Sequence, residues 1–77
     1  MEQRHREEFL QLGLNIAFYR KRCGLTQEAL AEAVNLSRNH ISKIEAINVQ
    51  TSLSLEKLFD IAAALKVPAG DLLEIRK

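Results

Sequence analysis

Apolar residues recur at steps of three and four along most of this sequence, which is the spacing of one face of an α-helix. The first run contains five of them: Phe9, Leu12, Ile16, Tyr19 and Cys23. Gly24 follows the run, and glycine readily takes the left-handed backbone conformation that ends many helices. The pattern predicts a first helix from about Glu7 to Cys23.

Hydroxyl side chains precede three further helical segments. Thr26, Ser37 and Ser54 can each accept a hydrogen bond from a free backbone N–H in the first turn, as N-cap residues do. The helix after Ser37 is predicted to run from Arg38 to about Glu45.

The segment after Ser54 also follows the helical period. Its apolar positions are Leu55, Leu58, Ile61, Ala62 and Leu65. Val67-Pro68 ends this helix, since proline cannot continue one, and a short fifth helix is predicted around Ala69 to Ile75. Residues 46–53 are predicted to form an extended loop.

These segments predict an all-α, compact five-helix structure, with residues 1–77 as a single domain. Apolar residues make up 47% of the chain and charged residues 27%, which is typical of a globular protein. A domain of this size buries only about 60% of the surface of its unfolded chain. Pairing with a second copy would therefore add useful buried apolar area.

Residues 26–45 are predicted to form two short helices separated by the turn Asn35-Leu36-Ser37. Only Ile41 and Ile44 are apolar in the second of them, so its other side chains are expected at the surface. A helix that reads DNA must fit the major groove, present polar side chains near its N-terminus and be supported from behind. The segment meets these requirements and predicts a helix-turn-helix that binds double-stranded DNA.

Three residues on this helix are the predicted base contacts. Arg38 can donate two hydrogen bonds to guanine, Asn39 can pair with adenine, and Lys43 lies one turn beyond Asn39 on the same face. Residues predicted to contact phosphate, or either phosphate or bases, are Gln27, Ser37, His40 and Ser42. Surface helices commonly carry polar side chains, so an ordinary solvated face is the alternative.

From Leu12 to Leu73 the chain resembles the Cro and lambda-repressor type (XRE-type) of helix-turn-helix regulator. Two stretches carry the resemblance, LGLNIAFYRKRCGLTQEALAEAVNLSRNHISKIE and SLEKLFDIAAALKVPAGDLL. Motif pairs stand in order at Thr26-Gln27, Leu30-Ala31, Ile41-Ser42 and Ile44-Glu45.

The resemblance implies roles for particular residues. It implies an ion pair between Arg20, at the end of the first helix, and Glu45, at the end of the third. It also places Gln27, Arg38, Asn39 and Lys43 at positions that usually touch DNA.

Two segments depart from the family pattern. After Glu45 the chain reads AINVQTSL, a longer and uncharged loop where the family usually has a short basic one. Leu10, Leu14, Ala17 and Phe18 form a second apolar stripe on the first helix, at positions that are generally polar. Either this stripe packs beneath a neighbouring segment, or it is a surface for a partner.

The sequence thus predicts a transcriptional regulator, of the dimeric repressor or restriction-modification controller type, that binds a pseudo-palindromic operator through its third helix. The alternative is a protein-interaction module or antitoxin that uses the first-helix stripe and the 46–53 loop. The expected homodimer surface consists of Leu55, Phe59, Leu72, Leu73 and Ile75.

Other chemistries find little support. Cys23 is the one cysteine, so no internal disulfide can form, and it is expected as a small, partly buried apolar residue. No Gly-rich phosphate loop or close metal-ligand spacing is present. We expect no enzyme activity, cofactor, metal, small-molecule ligand or membrane span, and a cytoplasmic location in association with the nucleoid.

Overall fold

The computed structural model describes residues 4–46 and 51–75. Five helices form in this part of the chain, and no strand does. They are α1 (Arg6–Arg22), α2 (Gln27–Ala33), α3 (Arg38–Glu45), α4 (Leu55–Leu65) and α5 (Ala69–Leu72). The all-α, five-helix prediction is confirmed, although α5 ends before Ile75.

Three helices begin where the sequence places an N-cap. The hydroxyls of Thr26, Ser37 and Ser54 each accept a hydrogen bond from the backbone N–H three residues later, at 3.0, 3.0 and 3.1 Å. These bonds satisfy N–H groups that would otherwise lack a partner in the first turn. The predicted starts of α2, α3 and α4 are therefore correct.

The ends of three helices use left-handed backbone. Gly24 follows α1 with a φ of 75°, and Asn35 follows α2 with a φ of 58°. Lys66 ends α4 with a φ of 62°, a conformation that costs a residue with a Cβ more than it costs glycine. The chain accepts that cost immediately before Val67-Pro68, where proline prevents α4 from continuing.

All five helices contribute to one apolar core. The fully buried side chains are Ile16, Leu30, Ile41, Ile61, Leu65 and Leu72. Because the helices are short, most of their stability must come from this packing rather than from helix propensity.

Three predicted positions differ in the structure. Leu72 was expected at a dimer surface but is fully buried, because α5 turns this side chain into the core. Phe9 was expected on the core face of α1 and is 37% exposed. Cys23 is also exposed, beyond the last turn of α1, and its Sγ donates to the Leu65 carbonyl oxygen at 3.3 Å. Both lie at the ends of α1, where the core no longer covers the helix.

A glycine lets α1 approach α3 closely. A Cβ built on Gly13 would collide with the carbonyl oxygen of Ile44, so no larger residue fits unless the helices move apart. Gly13 thus sets how near the end of α3 lies to α1.

Buried polar bonds attach the C-terminal segment to α1. Asn15 is 3% exposed, and its amide nitrogen donates to the carbonyl oxygens of Leu72 and Glu74 at 3.0 and 2.9 Å. Its amide oxygen accepts from Gln11 at 2.9 Å. The Asn15 side chain therefore fixes the chain after α5 against α1.

Candidate nucleic-acid interface

α2 and α3 form one packed unit. Leu30 and Ala31 of α2, with Val34 at its end, are buried together with Ile41 and Ile44 of α3. The N–H of Leu36 donates to the Ala31 carbonyl oxygen at 2.9 Å, which closes the turn between the helices. The two helices are held at a fixed angle by their own apolar residues.

The opposite face of α3 is polar. Arg38, Asn39 and Lys43 are exposed, whereas His40 and Ser42 are half-buried. Ser37 is exposed, and its hydroxyl is already used in capping α3. The three predicted base-reading side chains therefore share the accessible side of the helix.

A shallow cleft lies along this face of α3. It is lined by Ser37, Asn39, His40, Lys43 and Thr51. Sequence reasoning did not single out Thr51, because the path of the preceding loop cannot be read from an apolar pattern. Asn48 and Gln50, whose side chains could add phosphate contacts from this loop, lie outside the described residues.

An ion pair secures the far end of α3. Arg20 Nε and Nη2 donate to the two carboxylate oxygens of Glu45, at 2.7 and 3.0 Å. Only 9% of the Arg20 side chain and 6% of the Glu45 side chain are exposed. A bidentate pair of this kind restricts orientation as well as distance, so α3 cannot rotate about its axis without breaking it.

The same pair connects to the start of α2. Arg20 Nη1 donates to the Leu25 carbonyl oxygen at 2.7 Å, and Gln27 Nε2 donates to Glu45 Oε1 at 2.9 Å. Gln27 stays a predicted phosphate contact, and in the structure its amide nitrogen also has an internal acceptor in Glu45. Its observed bond joins α2 to α3.

The charges around α3 favour an anion. Glu45 is the one acidic residue of α3, and Arg20 neutralises it. Arg38 and Lys43 lie exposed on the same helix. The chain as a whole carries only +1, so its suitability for phosphate depends on this local positive face rather than on total charge.

The other predicted surfaces remain accessible. Exposed fractions are 67% for Leu55, 56% for Phe59, 50% for Leu73 and 38% for Ile75. On α1, Leu14 is 42% and Phe18 50% exposed, whereas Leu10 and Ala17 are half-buried. The Phe18 ring also meets Tyr19 edge to face, with the centroids 5.1 Å apart.

Two further observations concern residues 4–46 and 51–75. No three His, Cys, Asp or Glu side chains there are grouped as ligands of a metal ion would be. None of the helices in these ranges has both the length and the apolar character needed to cross a membrane.

Comparisons with known proteins agree with this geometry. Residues 16–72 match the Helix-turn-helix family, whereas no curated protein matches the chain. Among solved structures, SinR, described as the master regulator for biofilm formation and solved in complex with DNA, is 35% identical with a TM-score of 0.74. That match covers 82% of this chain and 98% of the SinR chain.

Two other solved structures are similarly related. The restriction-modification controller protein C.AhdI from Aeromonas hydrophila is 28% identical with a TM-score of 0.81, and the match covers 90% of this chain and 97% of that one. The hypothetical transcription factor NHTF from Neisseria is 31% identical with a TM-score of 0.79, covering 87% and 73%.

Proposed function

The chain belongs to the XRE-type helix-turn-helix family, and from this we propose that it is a transcriptional regulator that binds double-stranded DNA at a specific sequence. Regulators of this kind act by occupying a site near a promoter.

One observation carries the proposal: α3 is polar on its exposed side and fixed on its other side. Ile41 and Ile44 anchor it in the core, and Glu45 anchors its end through Arg20. Base recognition needs side chains held in a defined position relative to the groove.

We assign the contacts as follows. Arg38 and Asn39 stand in the first turn of α3 and read base edges in the major groove, and Lys43 reaches a base or phosphate one turn later. Ser37 and His40 line the adjacent cleft with Thr51 and contact phosphate or bases. Phosphate contacts position the domain, and base contacts supply specificity.

We further propose that the protein acts as a homodimer on a pseudo-palindromic operator. The exposed apolar residues near the C-terminus supply the contact: Leu55, Phe59, Leu73 and Ile75. An isologous dimer places two copies of α3 on one face of the DNA, about one helical turn apart. The similarity to the restriction-modification controller protein C.AhdI supports a regulator of the controller type.

The test is selection from a random-sequence DNA pool with the purified protein, at two salt concentrations. The Arg38→Ala/Asn39→Ala variant is run beside the parent, and Arg6→Ala is the matched control because Arg6 is exposed at the start of α1, away from α3. We expect the parent and Arg6→Ala to enrich the same inverted repeat, with half-sites about 10 base pairs apart. Higher salt should weaken binding, because phosphate contacts release counterions.

Loss of enrichment in the double variant alone would support direct base reading by α3. Equal enrichment by the parent and the double variant would contradict the assigned base contacts. Failure of the parent to enrich any motif would contradict sequence-specific DNA binding and favour the protein-partner alternative.

A further inference from the structure

The outer face of α1 is not used by the proposed function. Leu14 and Phe18 are exposed on it, and Leu10 is half-buried. Glu7 stands at its N-terminal end and Lys21 at its C-terminal end, both exposed. With 3.6 residues per turn, these five side chains fall within an arc of about 80° around the helix.

The order of residues along this face is symmetric about Leu14. Glu7 and Lys21 stand seven residues before and after it, and Leu10 and Phe18 stand four residues before and after it. If two such helices are paired antiparallel, each apolar position therefore lies opposite an apolar position of the other helix. The acidic position of each helix lies opposite the basic position of the other.

We propose that this face binds a second copy of itself, with the two α1 helices antiparallel and related by a two-fold axis near Leu14. In that arrangement Leu14 meets its own counterpart, and Leu10 lies opposite Phe18 of the second copy. In such an isologous contact every interaction away from the axis occurs twice.

Charge complementarity favours a second copy over another occupant. In the antiparallel pairing, Glu7 of each copy lies opposite Lys21 of the other, about 10 Å along the helix from the axis. Neither side chain forms an ion pair within residues 4–46 and 51–75. Parallel pairing would instead place like charges together at both ends, which is unfavourable.

The neighbouring arginines do not oppose this arrangement. Arg22 is directed to the side, with its guanidinium carbon 4.9 Å from the centroid of the Tyr19 ring. Arg6 lies outside the arc, on the opposite flank from Arg22, as the helical period requires. The unlike charges at Glu7 and Lys21 are therefore the ones that face the second copy.

This contact is small, so it is weaker than an interface of standard size. Its strength rises when two copies are held near each other, since tethering raises their effective concentration. It uses different residues from the proposed C-terminal dimer surface, and its test needs no DNA.

The experiment is a charge exchange, measured by sedimentation equilibrium at low salt. All proteins carry Leu73→Lys so that the C-terminal surface does not mask the α1 contact. Glu7→Lys and Lys21→Glu should each weaken self-association about tenfold, because both symmetric ion pairs become repulsive. The double exchange Glu7→Lys/Lys21→Glu should restore association to within about twofold, since it recreates both pairs in reverse.

Two controls accompany the exchange. Glu8→Lys makes the same charge change in the same turn of α1, but Glu8 lies off the face, so association should stay unchanged. Leu14→Glu places like charges on the two-fold axis and should abolish association. Circular dichroism verifies that each variant is folded.

Three results would overturn the proposal. A protein carrying only Leu73→Lys that stays monomeric at millimolar concentration has no α1 contact. Association that survives Leu14→Glu uses another surface. If the double exchange does not restore self-association, although both single variants are folded and associate more weakly, the antiparallel pairing is excluded.

Discussion

The buried pair of Arg20 and Glu45 predicts a large and specific loss of stability when either charge is removed. Substituting Glu45→Gln keeps the shape of the side chain but places an NH₂ group against the guanidinium, which has only donors. Arg20→Met leaves the Glu45 carboxylate without its cation, where only 6% of that side chain is exposed. In either variant a desolvated charge loses its partner.

The magnitude follows from burial. Breaking a buried pair on one side costs about 3–5 kcal/mol, whereas a small domain has a total stability of about 5–15 kcal/mol. In a domain of this size, each kcal/mol lowers Tm by roughly 4–8 °C. Each single variant should therefore melt at least about 12 °C below the parent.

The double variant Arg20→Met/Glu45→Gln separates pairing from burial. It leaves no unpaired charge, although the Leu25 carbonyl oxygen loses its present partner. We expect its loss of unfolding free energy to be about 2 kcal/mol smaller than the sum of the losses in the two single variants. Thermal and urea unfolding measure all four proteins, with Glu32→Gln, an exposed glutamate on α2, as the matched control.

Unchanged melting temperatures in both single variants would refute this reasoning. Strictly additive losses in the double variant would equally show that the two side chains act independently, whatever their distance in the structure.

Three further predictions concern packing and assembly. Gly13→Ala should destabilise by about 1–3 kcal/mol in urea unfolding, because the added methyl group collides with the Ile44 carbonyl oxygen and overpacking is costly. Gly70→Ala is its control: nothing lies within 4 Å of the added Cβ, so stability should be unchanged or slightly raised. Asn15→Ala should lower the free energy of unfolding by about 1–3 kcal/mol, since two carbonyl oxygens lose their donor. Hydrogen exchange of the backbone amides in α5 should also become faster. If the proposed homodimer uses the C-terminal surface, Leu73→Lys should give monomers in sedimentation velocity at micromolar concentration, and a dimer that persists would exclude that surface.

Local features of the chain were readable from the sequence because their causes are local. Each cap at Thr26, Ser37 and Ser54 depends on an N–H only three residues away. The turn at Asn35 depends on the tolerance of asparagine for left-handed backbone. The helix-turn-helix could therefore be placed to within a residue or two.

Tertiary roles were harder to read, since their causes lie far along the chain. The carbonyl groups that hold Asn15 belong to residues 57 and 59 positions later, and no short pattern marks them. Leu72 was misassigned for a related reason: helical spacing identifies an apolar face but not what covers it. The internal bond of Gln27 likewise depends on how α2 and α3 meet.

α1 can hold α3 in place and also bind a second copy, because a different face of the helix is used for each contact. Gly13 and Leu14 are neighbours in sequence, so their Cα atoms lie about 100° apart around the helix axis. Gly13 faces α3, whereas Leu14 faces away from the core. A contact on the Leu14 side can therefore form or break without moving α3. For that reason the α1 charge exchange should leave the DNA sequence preference unchanged, even where it alters how many copies assemble.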